Sequence, residues 1–165
     1  MQNVERERLR VGVENELHNN IIPFWLEYSV DFENGGFYGG ITNDLVVDHE
    51  ADKSLILVTR ILWTFSRLFS RYRDRAYRDM AVRAYDYLTR HFWDNDEGGA
   101  YWMVNFQGEP LQTCKKTYGQ AFTIYALSEY SLAFKHRPSL EKAKTLFTLL
   151  EEKTRDRVHG GYFET

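Results

Sequence analysis

The sequence predicts an all-α fold, an α/α toroid in which short β-hairpins join outer helices to inner helices. Three observations predict it: a Gly-Gly element that returns at a nearly constant interval, five helical segments, and an alternation of amphipathic with apolar segments. The 165 residues hold about two and a half repeating units. We therefore expect residues 1–165 to form part of one barrel domain, with further repeats needed to close the ring.

The Gly-Gly element appears as Gly35-Gly36, Gly98-Gly99 and Gly160-Gly161, at intervals of 63 and 62 residues. Each copy follows a polar stretch and precedes aromatic residues. One supersecondary unit of this size cannot bury its apolar face alone, so copies must stack or close into a ring. An irregular helical bundle is the alternative, and it leaves the constant period unexplained.

Segments one, three and five are amphipathic, which predicts outer helices over about residues 4–28, 74–92 and from 138 onward. Asp74 is the expected N-cap of the third segment, and Pro138 suits the first turn of the fifth. The side chains predicted to face inward are Leu9, Val13, Leu17 and Ile21 in the first segment, Met80, Ala84, Tyr87 and Leu88 in the third, and Leu140, Ala143, Phe147 and Leu150 in the fifth.

Segments two and four, over about residues 53–72 and 115–135, are apolar on nearly all sides and predict helices that are buried on all sides. Residues 36–41 and 99–106 alternate enough to predict short strands, with a hairpin turn at Gln107-Gly108. Each repeat is therefore expected to run from outer helix through hairpin to inner helix.

Composition excludes several classes of function. The formal net charge is −3 with both signs interspersed, so no nucleic-acid partner is expected. No apolar run approaches the roughly 20 residues of a membrane span. The single cysteine, Cys114, suits a reducing compartment, and with no signal-peptide core the expected location is cytoplasmic. No histidine pair has a metal-binding helical spacing, so no metal site is expected.

Arg60 is the only charged residue between Lys53 and Arg67. Its guanidinium either binds an oxygen that carries negative charge or forms a structural ion pair, and the residues alone leave both open. Tyr118 and Gln120 open the second apolar segment. Gln120 follows Arg60 by 60 residues, so we expect both on the inner face, in a cleft whose donors and aromatic rings suit a sugar. A core tyrosine is the alternative for Tyr118.

Several ordered blocks resemble the N-acylglucosamine 2-epimerase family, most closely the cellobiose 2-epimerases. They include Ile21-Ile22-Pro23-Phe24-Trp25, Thr59-Arg60-Ile61-Leu62-Trp63-Thr64-Phe65-Ser66 and Lys116-Thr117-Tyr118-Gly119-Gln120-Ala121-Phe122. The resemblance covers essentially the whole chain. It implies an (α/α)6 barrel, of which this chain is similar to the N-terminal portion.

The resemblance also implies epimerisation at C2 of a reducing-end sugar of the cellobiose, mannose or N-acylglucosamine class, without metal or cofactor. The ring opens, a base removes the C2 proton, and a proton returns to the other face of the enediolate. Arg60 matches the family's catalytic arginine, Tyr118 its sugar-binding tyrosine, and Phe122 a weaker pocket position. The acid–base histidines of the family lie in later repeats, beyond Thr165, so we expect the chain alone to be inactive.

Three other functions compete with the epimerase. They are an aldose–ketose sugar isomerase on the same scaffold, a toroidal glycoside hydrolase with two carboxylates across the cleft, and a non-catalytic carbohydrate-binding module or fragment. The expected partners are a small-molecule sugar and either the remainder of the barrel or a second copy of the chain.

Overall fold

A computed structural model describes residues 2–164, which form six α-helices and five short strands. Pairs of helices are separated by groups of strands, in the predicted order of outer helix, hairpin and inner helix. Two π-helical turns are present, Leu17–Ile21 between α1 and α2 and Leu88–Phe92 after α4. The helices are α1 (Gln2–Glu16), α2 (Ile22–Tyr28), α3 (Leu55–Tyr72), α4 (Arg75–Tyr87), α5 (Thr117–Phe134) and α6 (Arg137–Lys153). The strands are β1 (Gly40–Ile41), β2 (Val47–Asp48), β3 (Lys53–Ser54), β4 (Met103–Val104) and β5 (Pro110–Gln112).

The inner helices α3 and α5 begin and end on local signals. The Ser54 side chain accepts a hydrogen bond from the Leu57 N–H and caps α3. Arg73 and Lys135 lie 62 residues apart and both adopt the left-handed conformation, with φ of 59° and 53°. The left-handed residue ends each inner helix, Arg73 for α3 and Lys135 for α5, and the following outer helix begins within a few residues. Asp74 caps α4 through the Ala76 N–H, which confirms the predicted cap.

The core lies between α3, α4, α5 and α6, with α3 packed on α4 and α5, and α5 packed on α6. Aromatic rings stack between these helices. The ring centres of Tyr85 and Tyr130 lie 4.5 Å apart, and those of Phe69 and Phe134 lie 4.8 Å apart. Each large apolar side chain fully removed from water contributes about 1.5–3 kcal/mol before entropy is subtracted. The largest fully buried apolar side chains are Phe37, Phe65, Phe92, Leu55, Leu62, Leu88, Leu127 and Leu146.

The prediction that the inner helices are buried on all sides is wrong. Arg60 and Thr64 on α3 are exposed, and Tyr125 and Leu132 on α5 are 52% and 76% exposed. The apolar composition of these helices is real, but neighbouring helices cover only part of their circumference. One face of each inner helix is therefore open, and it is continuous across α3 and α5.

The predicted inward face of the first segment is also wrong for residues 2–164. Leu9 and Val13 are 69% and 59% exposed, and Ile21 is 46% exposed. Leu17 alone of the four packs against the core. The four-residue period is correct, but the described part of the chain supplies no element to cover α1.

In α6, Ala143 and Leu150 are buried as predicted, whereas Leu140 and Phe147 are 37% and 53% exposed. Leu146, which the prediction omitted, is fully buried. The face that packs on α5 is thus rotated by one residue from the predicted face.

The strands are shorter than predicted and pair antiparallel in two small sheets, β1–β2 and β3–β4–β5. Gly108, with φ of 91°, turns β4 into β5 as expected. One pairing was not predicted: β3, which leads into the first inner helix, pairs with β4 of the second repeat, with Lys53 opposite Val104. Adjacent repeats are therefore joined by backbone hydrogen bonds as well as by packing. No helix of residues 2–164 is long and apolar enough to cross a membrane.

Candidate active site

The open face of α3 and α5 carries a row of side chains that meet across the two helices. Three pairs are each separated by 62 residues: Arg60 with Phe122, Trp63 with Tyr125, and Arg67 with Glu129. This offset equals the repeat period, so equivalent turns of successive inner helices lie side by side. These six residues, here called the inner-face row, run from the N-terminal ends of α3 and α5 toward their C-terminal ends.

Arg60 lies in the second turn of α3 and is exposed. Its guanidinium carbon lies 5.2 Å from the centre of the Phe122 ring, within the range of a cation–π contact. The structural ion pair that the sequence left open is not formed within residues 2–164, where no carboxylate lies within salt-bridge distance of this guanidinium. The described contact of the Arg60 guanidinium is therefore the Phe122 ring.

Tyr118 lies in the first turn of α5, at the N-terminal end of the row. The centre of its ring lies 4.9 Å from the centre of the Phe122 ring. The side chain is 48% exposed, so it is not a core tyrosine in this part of the chain. Its backbone N–H donates to Oε2 of Glu164 at 3.0 Å, and the Thr117 hydroxyl donates to the Phe163 carbonyl at 2.7 Å. The segment after the third Gly-Gly pair thus fixes the start of α5.

Gln120 does not lie on this face. It is 2% exposed, its Oε1 accepts from the Ala100 N–H at 2.8 Å, and its Nε2 donates to the Ala100 carbonyl at 2.7 Å. The residue 62 positions before Gln120 is Val58, which is fully buried. The notion that Gln120 and Arg60 share a place on successive helices was therefore two residues out of register, and we assign Gln120 a structural role.

Trp63 and Tyr125 are inner-face residues that sequence reasoning missed. Their rings stack with centres 5.1 Å apart and planes at 17°, one turn deeper than Arg60 and Phe122. The Trp63 indole N–H is buried and has no acceptor in the described part of the chain. The missed signal was the 62-residue offset, which pairs Arg60 with Phe122 and, three residues on, these two rings. Farther along the two helices, Nη1 of Arg67 lies 3.4 Å from Oε1 of Glu129.

A cavity of about 510 Å³ opens beside Arg60, between α2 and α3. This volume is within the range of small-molecule sites. Its walls are mainly apolar, with polar atoms from a few side chains. The lining residues are Ile21, Trp25, Ser54, Ile56, Leu57, Arg60, Ile61, Thr64 and Phe65.

The histidines have contacts away from the inner-face row. His18 and His49 meet tyrosine edges, at Tyr72 and Tyr38. His91 stacks on a tyrosine and contacts the Gly108 carbonyl. His136 caps α6, and His159 contacts Asp156. Within residues 2–164, no three histidine, cysteine or acidic side chains are grouped as metal ligands.

The carboxylates with the clearest pKa shifts belong to the Gly-Gly turns. A hydrogen bond from Lys115, together with the Glu97 N–H, lowers the pKa of Asp94 to about 2. For Asp31, burial raises the pKa, but hydrogen bonds from Lys53 and the Asn34 N–H outweigh it, so the pKa falls below its usual value. Both are charged structural groups near neutral pH, which suits them poorly to proton transfer.

Comparison with known proteins extends these findings. The family model described as N-acylglucosamine 2-epimerase (GlcNAc 2-epimerase) matches residues 36–165. The cellobiose 2-epimerase of Bacteroides fragilis is 43% identical over 158 residues, which are 96% of this chain and 40% of that protein. The structure of cellobiose 2-epimerase from Spirochaeta thermophila matches with a TM-score of 0.91 at 42% identity, covering 96% of this chain and 39% of that one.

A crystal structure of D-mannose isomerase matches with a TM-score of 0.78 at 25% identity, covering 87% of this chain and 36% of that one. This chain thus spans about two fifths of the length of the epimerases it matches. The predicted fold class, part of an (α/α)6 barrel with hairpins between outer and inner helices, is confirmed by these neighbours. The 62-residue repeat, the alternating helices and a match over more than half of its length all agree, and the chain belongs to the N-acylglucosamine 2-epimerase family.

Proposed function

We propose that this chain forms the N-terminal part of a carbohydrate 2-epimerase that acts on the reducing end of a sugar of the cellobiose, mannose or N-acylglucosamine class. The observation that carries the proposal is the open face on which Arg60, Phe122 and Tyr118 meet. Family membership supports the reaction, and the 43% identity to a cellobiose 2-epimerase favours a disaccharide such as cellobiose.

In the proposed reaction the sugar ring opens and a base removes the C2 proton, leaving an enediolate. The Arg60 guanidinium binds the enediolate oxygen, where its positive charge stabilises the developing negative charge. A proton then returns to the opposite face of C2, so the net reaction is an isomerisation without oxidant or reductant.

Tyr118 and Phe122 hold the sugar in this scheme. The partly exposed Tyr118 offers its hydroxyl to sugar hydroxyl groups, and the Phe122 ring packs against Arg60 on one side of the cleft. We assign the acid–base pair to later repeats, because the described contacts of the histidines of residues 2–164 lie away from the face that carries Arg60. Gln120 takes no part in binding.

The partners in this proposal are the sugar and the remaining repeats of the barrel. A cytoplasmic location is part of the proposal, since the exposed thiol of Cys114 suits a reducing compartment.

The direct test is a chimera in which this chain replaces the aligned N-terminal part of the Bacteroides fragilis enzyme. Arg60→Ala in the chimera is expected to lower kcat/KM for cellobiose by at least about 100-fold, as loss of one oxyanion donor does, without changing the Tm. Arg71→Ala, on the same helix but outside the row, is the matched control and should keep near-normal turnover. Equal activity of Arg60→Ala and Arg71→Ala would return Arg60 to a structural role.

The 165-residue chain alone is expected to give no C2 inversion of cellobiose or mannose in an NMR assay. Measurable turnover would contradict the assignment of acid–base groups to later repeats.

An aldose–ketose isomerase is the second candidate, favoured by the similarity to D-mannose isomerase. Product analysis of the active chimera separates the candidates. Epimerisation gives an aldose, isomerisation gives a ketose, and hydrolysis releases glucose.

A further inference from the structure

The three Gly-Gly turns share an aspartate that binds the turn backbone in the same way. Asp31, Asp94 and Asp156 lie 63 and 62 residues apart. In each, Oδ1 accepts the N–H groups two and three residues later, at 2.8–3.1 Å. Each aspartate N–H also donates to the second glycine's carbonyl, at 3.2, 2.9 and 2.9 Å. The three turns are therefore copies at the level of single hydrogen bonds.

In the first two copies the other carboxylate oxygen binds a lysine. Lys53 Nζ lies 2.7 Å from Oδ2 of Asp31, and Lys115 Nζ lies 2.6 Å from Oδ2 of Asp94. Both lysines stand two residues before an inner helix, α3 or α5. Each aspartate–lysine pair, here called a clip, thus fastens one repeat's turn to the start of the next inner helix.

At the third turn the corresponding aspartate, Asp156, contacts a histidine instead of a lysine. Oδ2 of Asp156 lies 3.2 Å from Nδ1 of His159, and the His159 side chain is 83% exposed. By contrast, Lys53 and Asp31 have side chains that are 1% and 0% exposed. Oδ1 of Asp156 thus accepts the same two N–H groups as in the other turns, while Oδ2 contacts an exposed histidine. The Asp156 side chain itself is 14% exposed, close to the 9% of Asp94.

The glycines of the turns differ in the same manner. A Cβ on Gly36 would lie 2.6 Å from the Tyr87 ring, and one on Gly99 would lie 3.1 Å from the Gln120 and Lys115 side chains and 3.5 Å from Leu149. Tyr87 and Leu149 each follow the lysine of their clip by 34 residues. On Gly161 a Cβ would meet no described atom within 4 Å. Among residues 2–164, no side chain covers the third turn as Tyr87 covers the first and Leu149, with Lys115 and Gln120, covers the second.

The uncovered turn carries exposed apolar side chains. Val158, Tyr162 and Phe163 are 83%, 50% and 59% exposed. We call these residues, with Asp156 and Gly160-Gly161, the third-turn face. An apolar surface around an acceptor suits a partner with a cation and an apolar side chain.

We propose that the third-turn face binds one further helical repeat, which places a lysine ammonium on Asp156 and packs a large side chain over Gly161. That lysine stands two residues before an inner helix, and the large side chain follows it by about 34 residues, as in both filled clips. The length of the relatives supports this occupant, since the chain spans 40% of the Bacteroides fragilis protein. The proposal depends on the repeat geometry and not on the proposed reaction.

The test compares Asp156→Asn with Asp94→Asn in two settings, the 165-residue chain and the chimera with the remainder of the Bacteroides fragilis enzyme. Asparagine keeps the Oδ1 acceptor but loses the charge that binds lysine. In the 165-residue chain, Asp156→Asn should lower the Tm by clearly less than Asp94→Asn. In the chimera the two should lower it by similar amounts, about 3–8 °C. Asp44→Asn, at an exposed aspartate, is the control in both settings.

A carbodiimide cross-link in the unmutated chimera supplies a second measurement. It should join Asp156 to a lysine two residues before the next helix, with Asp94–Lys115 as the positive control. The absence of a lysine there, no cross-link, or equal effects of Asp156→Asn in both settings would overturn the proposal. So would a chimera that does not fold, or a dimer of the 165-residue chain that Asp156→Asn dissociates, since that identifies a second copy as the occupant.

Discussion

Gln120 illustrates how one side chain fixes the geometry of a turn. Its amide forms a two-bond bridge with Ala100, the residue that directly follows the second Gly-Gly pair. Ala100 is fully buried, so its N–H and carbonyl would otherwise lack water as a partner. The bridge ties the turn to α5, two residues beyond Tyr118.

We expect Gln120→Ala to lower the free energy of unfolding by about 3 kcal/mol, because it removes two hydrogen bonds and leaves two buried backbone groups unpaired. Gln107→Ala, at an exposed glutamine in the hairpin turn, should change it by less than about 0.5 kcal/mol. Urea denaturation of the 165-residue chain measures both. A Gln120→Ala chain as stable as Gln107→Ala would rule out the structural role.

At the scale of residues, the sequence could identify which side chains were unusual but not which way each one faced. Arg60 stood out because it is charged within an apolar helix, and it does lie on the open face. Gln120 stood out for similar reasons, yet it faces the hairpin. A two-residue error in register rotates a helical side chain by about 200°, and only the packed structure fixes that register.

At the scale of elements, the Gly-Gly turns are held by backbone conformation as well as by clips. Gly36 and Gly161 have φ of 65° and 80°, a region that costs other residues about 1–2 kcal/mol. The Tyr87 ring covers the first turn, whereas the described chain leaves the third open.

Gly36→Ala and Gly161→Ala should therefore lower the free energy of unfolding by different amounts, although both add one methyl group at positive φ. We expect Gly161→Ala to cost about 1–2 kcal/mol in the 165-residue chain, from backbone strain alone. Gly36→Ala should cost about 2 kcal/mol more, because its methyl group overlaps the Tyr87 ring. Thermal unfolding followed by circular dichroism measures the difference, and equal costs would show that Tyr87 does not restrain the turn.

Hydrophobic period and capping residues predicted the elements well. The Asp74 cap is confirmed, and the observed helices lie within a few residues of the predicted ones. The pattern could not say what covers each apolar face. Leu9 and Val13 have the spacing of a buried face and are exposed, because no element of residues 2–164 covers them.

At the scale of the molecule, the clips link stability to pH. The pKa of Asp94 is lowered to about 2, first by the Lys115 hydrogen bond, while an unfolded aspartate titrates near 3.9. A carboxyl group whose pKa is lowered on folding stabilises the fold above its unfolded pKa. That stabilisation is lost as the pH falls through the folded pKa.

The free energy of unfolding should therefore be steady above about pH 5 and fall between about pH 4 and pH 2. Asp94→Asn should flatten this dependence, because asparagine does not titrate, whereas Asp44→Asn should leave it unchanged. Urea titrations at a series of pH values measure the slope. An Asp94→Asn chain with the unmodified slope would show that other carboxylates carry the acid sensitivity.

The toroidal arrangement was predictable from the interval between Gly-Gly pairs, because a constant period requires equivalent contacts between units. The pairing of β3 with β4 was not, since two-residue strands leave no reliable pattern. The inner-face row falls between these cases. The period predicts that residues 62 apart meet, while the depth of Trp63 and Tyr125 below Arg60 is set by packing.

The clips also determine the order in which the chain can become fastened during synthesis. Lys53 follows Asp31 by 22 residues and Lys115 follows Asp94 by 21. At about 5–20 residues per second, a ribosome delivers each lysine roughly one to four seconds after its acceptor. Each aspartate can therefore bind the N–H groups of its own turn before its lysine is synthesised. The ion pairs of the two clips become possible in order along the chain, the Asp31–Lys53 pair before the Asp94–Lys115 pair.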